Sequence, residues 1–399
     1  MYDLILKNCR LIPELTEGFE QPMGHVVLEG STIHSILPIT DAALPETKEV
    51  IDLEGKTLLP GFIDLHTHLY FAHEDIPVLA AKDPVQSTYD CIECAQTKLA
   101  YGYTTLRDCG STYNTAIETR DAINRGVIQG PRVLASGRCI TPTTRGNDAF
   151  GPLYREFDDP AQARQIVRKE LSMGADFIKY MATGSVLNPG GIPGEAITTR
   201  AELQALVAAA TELHSYVGAH CHGKDAILLC ADCGVKTIEH ASYIDQECID
   251  HIQELGNKSA IIPTFAIVYE ILADLVGGIT PRVKALIGDV VEGMLKGNAQ
   301  AYKQGINMGW GTDIDLEGFK LAPFLEFKAR REMGLTNLQM LCQATIESAR
   351  IVGLDNVCGT IKAGKDADLV VLVGKPEENY SDLTTKPEMV FARGKRFMY

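Results

Sequence analysis

The chain has 399 residues, of which 45% are apolar and 22% charged; it can bury a large core, and wholesale disorder is excluded. Its net charge is −15 at pH 7. Such an acidic surface repels phosphate backbones, so nucleic-acid binding is not expected.

In chain order, residues 1–10 lack the basic start and long apolar run of a secretory leader. Residues 2–58 read as short strands: "YDLILKNCRLI", "GHVVLEGSTIHSIL" and "KEVIDLEGKTLLP" carry β-branched residues between Gly or Asn breaks. Short apolar runs then appear at 58–66, 104–107, 132–136, 175–181, 216–220, 235–239, 259–263 and 306–311. Helix-like stretches at 86–100, 115–125, 161–173, 200–214, 224–233, 246–255 and 281–303 lie between most of them. Thr198, Thr199 and Arg200 mark a helix start. Eight strand candidates alternating with helices predict an α/β fold, a (β/α)8 TIM-like barrel. A doubly wound open sheet competes, but no Gly-rich dinucleotide fingerprint follows the first strand. The tail, 359–399, returns to strands, so both chain ends are expected to join in one small β-sandwich domain. The expected division is 1–58 and 356–399 for that domain and 59–355 for the barrel.

The eleven cysteines are an odd number and scattered, so they cannot all pair within one chain. Free thiols and a cytoplasmic location are expected. Cys91/Cys94 and Cys230/Cys233 have zinc-knuckle spacing but sit in helix-like runs far apart, which argues against a joint site. The most apolar stretch, 259–279, contains Pro263, Glu270 and Asp274 and is not expected to span a membrane.

Active sites of such barrels form where the strands end. The first run ends in His66 and His68, which share a face because strand side chains alternate. Two imidazoles there form a metal-chelating pair, or else two unrelated polar residues. Lys179 lies within an apolar strand, where a lone ammonium is costly. It is either an anionic carbamate that bridges two cations or a lysine paired with a carboxylate. The fifth run ends in His220 and His222, the sixth in His240, and the eighth in Asp313. Each alone has an ordinary structural explanation, as a core histidine or a turn aspartate. Histidine numbers only ten residues in the chain, yet five fall at or just after three strand ends. One binuclear metal site accounts for the coincidence.

The motifs "PGFIDLHTH" at 60–68, "FIKYMATGSVLNPG" at 177–190, "GAHCHG" at 218–223, "TIEHAS" at 237–242, "GTD" at 311–313 and "GTIKAGKDADLVVL" at 359–372 span nearly the whole chain. Together they resemble the metal-dependent amidohydrolase superfamily, most of all its branch of imidazolonepropionase-like proteins and Xaa-Pro-type dipeptidases. The resemblance implies two divalent metal ions, zinc by default with manganese or cobalt also accepted by the oxygen ligands. It implies His66 and His68 on one metal, His220 and His240 on the other, and a CO2-derived carbamate on Lys179 between them. Asp313 would be both ligand and general base, acting on a metal-bridged hydroxide. His222 would touch the substrate or its developing oxyanion, although its spacing lets it ligate as well as His220.

There is one departure. After the third strand this branch often carries a His-Gly-His loop that helps to hold the substrate; here "SGRCITPTTRGNDAFG" has no histidine. Arg145 and Asn147 occupy that neighbourhood. An arginine there either clamps a carboxylate or is a solvated loop charge. The loop at 188–194 is either a rim or lid or a passive connector.

The expected reaction is hydrolysis of an amide or peptide C–N bond, in a dipeptide or N-acyl amino acid. A cyclic amidohydrolase or a lactonase is the alternative. A non-catalytic scaffold of the same fold would lack ligands, and none is missing. Expected partners are a small-molecule substrate and, as is common for this fold, further copies of the chain in a homo-oligomer.

Overall fold

The computed structural model describes residues 1–40, 43–72 and 76–398. The two chain ends meet in one eight-stranded sheet. Strands β1 (Tyr2–Arg10), β2 (Met23–Glu29), β3 (Thr32–Pro38), β4 (Thr47–Asp52) and β5 (Thr57–Pro60) come from the N-terminal end. The order runs β17-β16-β15-β5-β1-β2-β3, with β4 parallel beside β1; here β15 is Leu369–Leu372, β16 Met389–Ala392 and β17 Lys395–Arg396. The antiparallel β5–β15 ladder joins the ends, with Leu58 opposite Val371. Leu6, Val26, Leu28, Leu58, Leu369 and Phe391 share one buried cluster, so alternate residues of these strands face a common core.

The apolar run at 58–66 is two strands rather than one. β5 ends at Pro60, and β6 (Phe62–Thr67) starts a different sheet. Gly61 makes the break possible, because a Cβ there would meet Thr104 Oγ1 at 1.9 Å. β6 pairs in parallel with β7 (Tyr103–Asp108), which pairs in parallel with β8 (Arg132–Ala135).

A second parallel sheet contains β9 (Cys139–Thr141), β10 (Tyr154–Glu156), β11 (Ile178–Met181), β12 (Val217–Cys221), β13 (Thr237–His240) and β14 (Ala260–Ile262), in the order β10-β9-β11-β12-β13-β14. The two parallel sheets share one stretch of chain. β8 lies against β7, and a few residues later β9 lies against β11. Between them Gly137 takes a φ of +73° in a position where a Cβ would meet Glu170 Oε2 at 2.7 Å.

The stretch at 306–311, expected as the eighth strand, makes one isolated bridge, Ile261 to Met308, and no ladder. It is nevertheless extended between the outer strands. Ile261 donates its N–H to the Asn307 carbonyl (2.9 Å), Leu65 to Trp310 (2.8 Å) and Asp313 to His66 (2.8 Å). Gly309 and Gly311 press so closely on Leu65, His66 and Ile262 that regular pairing gives way to contact. The chain is thus α/β with parallel sheets, and its sequence of stations is consistent with an eightfold barrel.

Helices fall where the periodicity puts them. The helix Arg200–Glu212 begins with a capping box between Thr199 and Glu202. The Cys pairs lie on the helices Pro84–Ala100 and Lys224–Cys233. Among the described residues, no helix is long and apolar enough to cross a membrane.

Candidate active site

The strand ends converge on one cavity. His66 ends the inward face of β6, and His68 follows one residue past the strand. Lys179 lies within β11, His220 near the end of β12 with His222 just beyond it, and His240 is the last residue of β13. Asp313 follows the extended segment that hydrogen-bonds to His66. Six of these seven side chains line one cavity. His222 lines an adjoining space together with His220, His240 and Asp313.

The imidazoles pack ring against ring. Centroids are 4.9 Å apart for His66–His240, 4.5 Å for His220–His240 and 4.8 Å for His222–His240. Asp313 Oδ1 lies 3.6 Å from His66 Nε2 and 3.7 Å from His68 Nε2. Among the described residues three groups of ligand atoms each gather within 4.8 Å: His220, His222 and His240; His66, His240 and Asp313; and His66, Cys109 and Glu239.

The proton inventory suits metal binding. Burial is the main cause that pushes His68 down to about 4 and His222 to about 3, and drives His66, His220 and His240 well below the usual histidine range. All five are therefore neutral at pH 7, as ligation requires. Their Nδ1 atoms are mostly engaged. His66 Nδ1 donates to Glu239 (2.8 Å), and His68 Nδ1 donates to the Gly110 carbonyl (2.8 Å). His222 Nδ1 pairs with Ser242 Oγ and His240 Nδ1 with Thr264 Oγ1, both at 2.7 Å. The Nε2 atoms of His222 and His240 are buried without a protein partner. An unpartnered ring nitrogen, in the tautomer that leaves its lone pair free, is what an incoming cation satisfies, so the donor set fits divalent metal.

Lys179 is 1% exposed, and its Nζ lies 3.4 Å from His66 Nε2. Among the described residues it forms no ion pair with a carboxylate, which leaves a protonated ammonium uncompensated. Burial pushes the Asp313 carboxyl up to about 7; a neighbouring cation would draw it back down.

Several supports were not singled out from the sequence, although Asp64 and Glu239 lie inside the motifs at 60–68 and 237–242. Glu239, which orients His66, is held by both oxygens on Arg107 Nη2 (2.7 and 2.9 Å). Asp108 accepts from Leu69 N, Gly110 N and Ser111 Oγ, and so shapes the turn that carries the partner of His68. Asp64 ties the two metal-binding segments together. It accepts from His66 N (3.1 Å), Thr312 N (3.0 Å) and Thr312 Oγ1 (2.6 Å). Lys98 Nζ balances its charge at 2.7 Å, with both side chains fully buried. Lys98→Met strands the Asp64 carboxylate and should cost about 3 kcal/mol. A urea unfolding curve reads this directly, and an unchanged midpoint would remove Lys98 from the account.

His240 and Asp313 adopt φ values of +70° and +54°. Non-glycine residues occupy this region at a cost of roughly 1–3 kcal/mol, and do so where the surroundings dictate it. Here the strained backbone aims ligand side chains.

Arg145 and Asn147 are not brought to the cavity. Arg145 is exposed on the loop whose backbone abuts Gly190. Asn147 is buried, and its amide donates to the Pro142 carbonyl and to Glu156. The loop at 188–194 is pinned where Gly190 N donates to Asn188 Oδ1 and Arg282 Nη2 donates to the Gly191 carbonyl.

A buried cluster of neutral imidazoles with an aspartate and a lysine, at the ends of parallel strands, defines a metal-dependent hydrolase. Comparison with known proteins gives the family: the Amidohydrolase family profile matches residues 57–397, and the chain belongs to that family. It is 29% identical over 351 residues to the ochratoxinase of Aspergillus niger, covering 81% of this chain and 71% of that one. A crystal structure of a prolidase complexed with N-methylphosphonate-L-proline superposes with a TM-score of 0.89 at 28% identity, covering 99% of both chains. A Xaa-Pro dipeptidase with methionine bound in its active site gives a TM-score of 0.87 at 25% identity, again covering 99% of both chains. The family and these relatives mark the chain as an enzyme acting on carbon–nitrogen bonds.

Proposed function

We propose that the chain hydrolyses the amide or peptide C–N bond of a dipeptide or N-acyl amino acid in a binuclear metal site. The carrying observation is the meeting of five neutral imidazoles, Lys179 and Asp313, with the Nε2 atoms of His222 and His240 left open. The names of the prolidase, Xaa-Pro dipeptidase and ochratoxinase relatives support an amide substrate. In this reading residues 59–355 form a closed barrel, and 1–58 with 356–399 form the accompanying β domain. The enzyme works in the cytoplasm on a small molecule.

His66 and His68 would hold one cation and His220 and His240 the other, with Asp313 and a carbamate on Lys179 completing the set; zinc would be the default metal. When bound, the ions supply Lewis acidity and a nucleophilic water at neutral pH. The chain's own residues do the rest. Glu239 and the Gly110 carbonyl hold His66 and His68 in the tautomer that presents Nε2, and Thr264 orients the His240 ring. Asp313 takes a proton from the attacking water and returns it to the leaving nitrogen. His222 donates to the oxygen that gains charge. A second role for His222 has its own support, because its ring belongs to one ligand group with His220 and His240 and its Nε2 has no protein partner.

Metal analysis of protein purified without chelator tests the reading. About two equivalents per chain are expected. One equivalent would point to a single-metal deaminase type, and none to a scaffold.

A further inference from the structure

We infer that the substrate carries a compact apolar group on each side of the scissile bond, one in an aromatic chamber and the other in a branched aliphatic chamber. The inference rests on the amide-hydrolase reading above and narrows its substrate class.

The ligand cluster stands between two spaces of different character. The larger is walled by Tyr70, Phe71, Phe150, Leu153 and Tyr154; the Phe150 and Tyr154 rings stack at 4.5 Å. The smaller is walled by Val268, Ile271, Ile287, Val290 and Met294. These five come from two helices, Phe265–Ala273 and Pro281–Lys303. Ile287, Val290 and Met294 follow one another at helical spacing, so one face of the second helix supplies them. All five are buried, with Ile271 and Met294 each only 1% exposed.

His220, His240 and Asp313 line both spaces. A bond held at that cluster therefore has one flank in each chamber. An apolar group gains by leaving water on either side, roughly 1.5–3 kcal/mol for a full Val, Leu or Phe side chain, equivalent to tenfold or more in affinity. A charged group loses its hydration instead. Among the described lining residues of the aliphatic chamber there is no lysine or arginine to pair with a carboxylate.

The test compares kcat/KM of the metal-loaded full-length protein for N-isovaleryl-phenylalanine and N-phenylacetyl-leucine with N-acetylglycine, N-isovaleryl-aspartate and N-succinyl-leucine. At least one of the first two should exceed the other three by tenfold or more. Val290→Trp, which fills the aliphatic chamber, should collapse the selectivity ratio for one flank. Leu153→Trp, in the aromatic chamber, should collapse it for the other. Equal rates across the panel, or both variants flattening the same flank, would overturn the inference. Should no amide be cleaved, the amide-hydrolase reading fails, and the chambers are judged separately by calorimetric binding of the same compounds to full-length Asp313→Asn protein. Tenfold tighter binding of the doubly apolar compounds supports the chambers; equal binding removes them.

Discussion

Asp313→Asn should fold as the wild type does and lose its turnover by a factor of 10² to 10⁴, the usual contribution of a positioned acid–base group. The substitution keeps size and shape, so the packing beside His66, His68 and His240 is undisturbed. The backbone bonds that place the residue also survive, because Asp313 N donates to the His66 carbonyl and Thr312 is fixed by Asp64. Asparagine tolerates the φ of +54° at least as well as aspartate. What disappears is the anion and its capacity to carry a proton between water and leaving nitrogen. Unchanged circular dichroism and Tm with collapsed kcat for an N-acyl amino acid is the expected pair of results. Wild-type turnover would remove Asp313 from the proton-transfer role.

The ligand candidates were legible because each breaks a local rule. Lys179 is a charge inside an apolar strand, and the histidines occur in pairs two apart at strand ends, where side-chain alternation gives them one face. The supports broke the same rule less visibly. Arg107 in "TTLRD" and Glu239 in "TIEH" are also charges in apolar strands, and they answer each other from one parallel sheet to the other at 2.7 Å. That pairing depends on a contact between residues 130 or so apart in the chain, which no local pattern encodes. Lys98 was hidden more thoroughly, since a lysine in a helix normally reads as a solvated face. Only the fold turns it inward to Asp64.

The irregular strands show a related limit. Apolar runs reveal where strands lie, but not where glycine contact forces a break. Gly61 divides one run between two sheets, Gly137 bends the third, and Gly309 with Gly311 leaves the eighth unpaired in the regular sense. Arg145 was open to two readings, a carboxylate clamp or a solvated loop charge; its side chain is exposed and does not line the cavity, whereas Phe150 and Leu153 further along the same segment do. The cavity wall is instead apolar, and apolar residues in loops carry no signature of their own before the fold assembles them.

Lys179→Ala should empty the site of at least one metal ion and reduce activity to background. The side chain is 1% exposed and aimed among neutral imidazoles, so it contributes either an uncompensated cation or, after reaction with CO2, an anion. The two possibilities have opposite consequences. A cation repels divalent metal, so its removal would raise metal affinity. An anion attracts metal, so its removal leaves the histidines and Asp313 to hold two ions with one fewer negative charge. Inductively coupled plasma analysis of Lys179→Ala therefore distinguishes them by sign. Fewer metal equivalents than wild type is the expected result, and equal or greater occupancy would show that Lys179 is no bridge. A carbon-13 carbamate resonance from wild-type protein supplied with labelled bicarbonate, absent from Lys179→Ala, provides a readout independent of turnover. Alanine also leaves a void behind, so a loss of stability of about 2–4 kcal/mol is expected from packing alone. That loss lowers Tm without affecting the resonance of the wild type, which keeps the structural and chemical effects of the substitution apart.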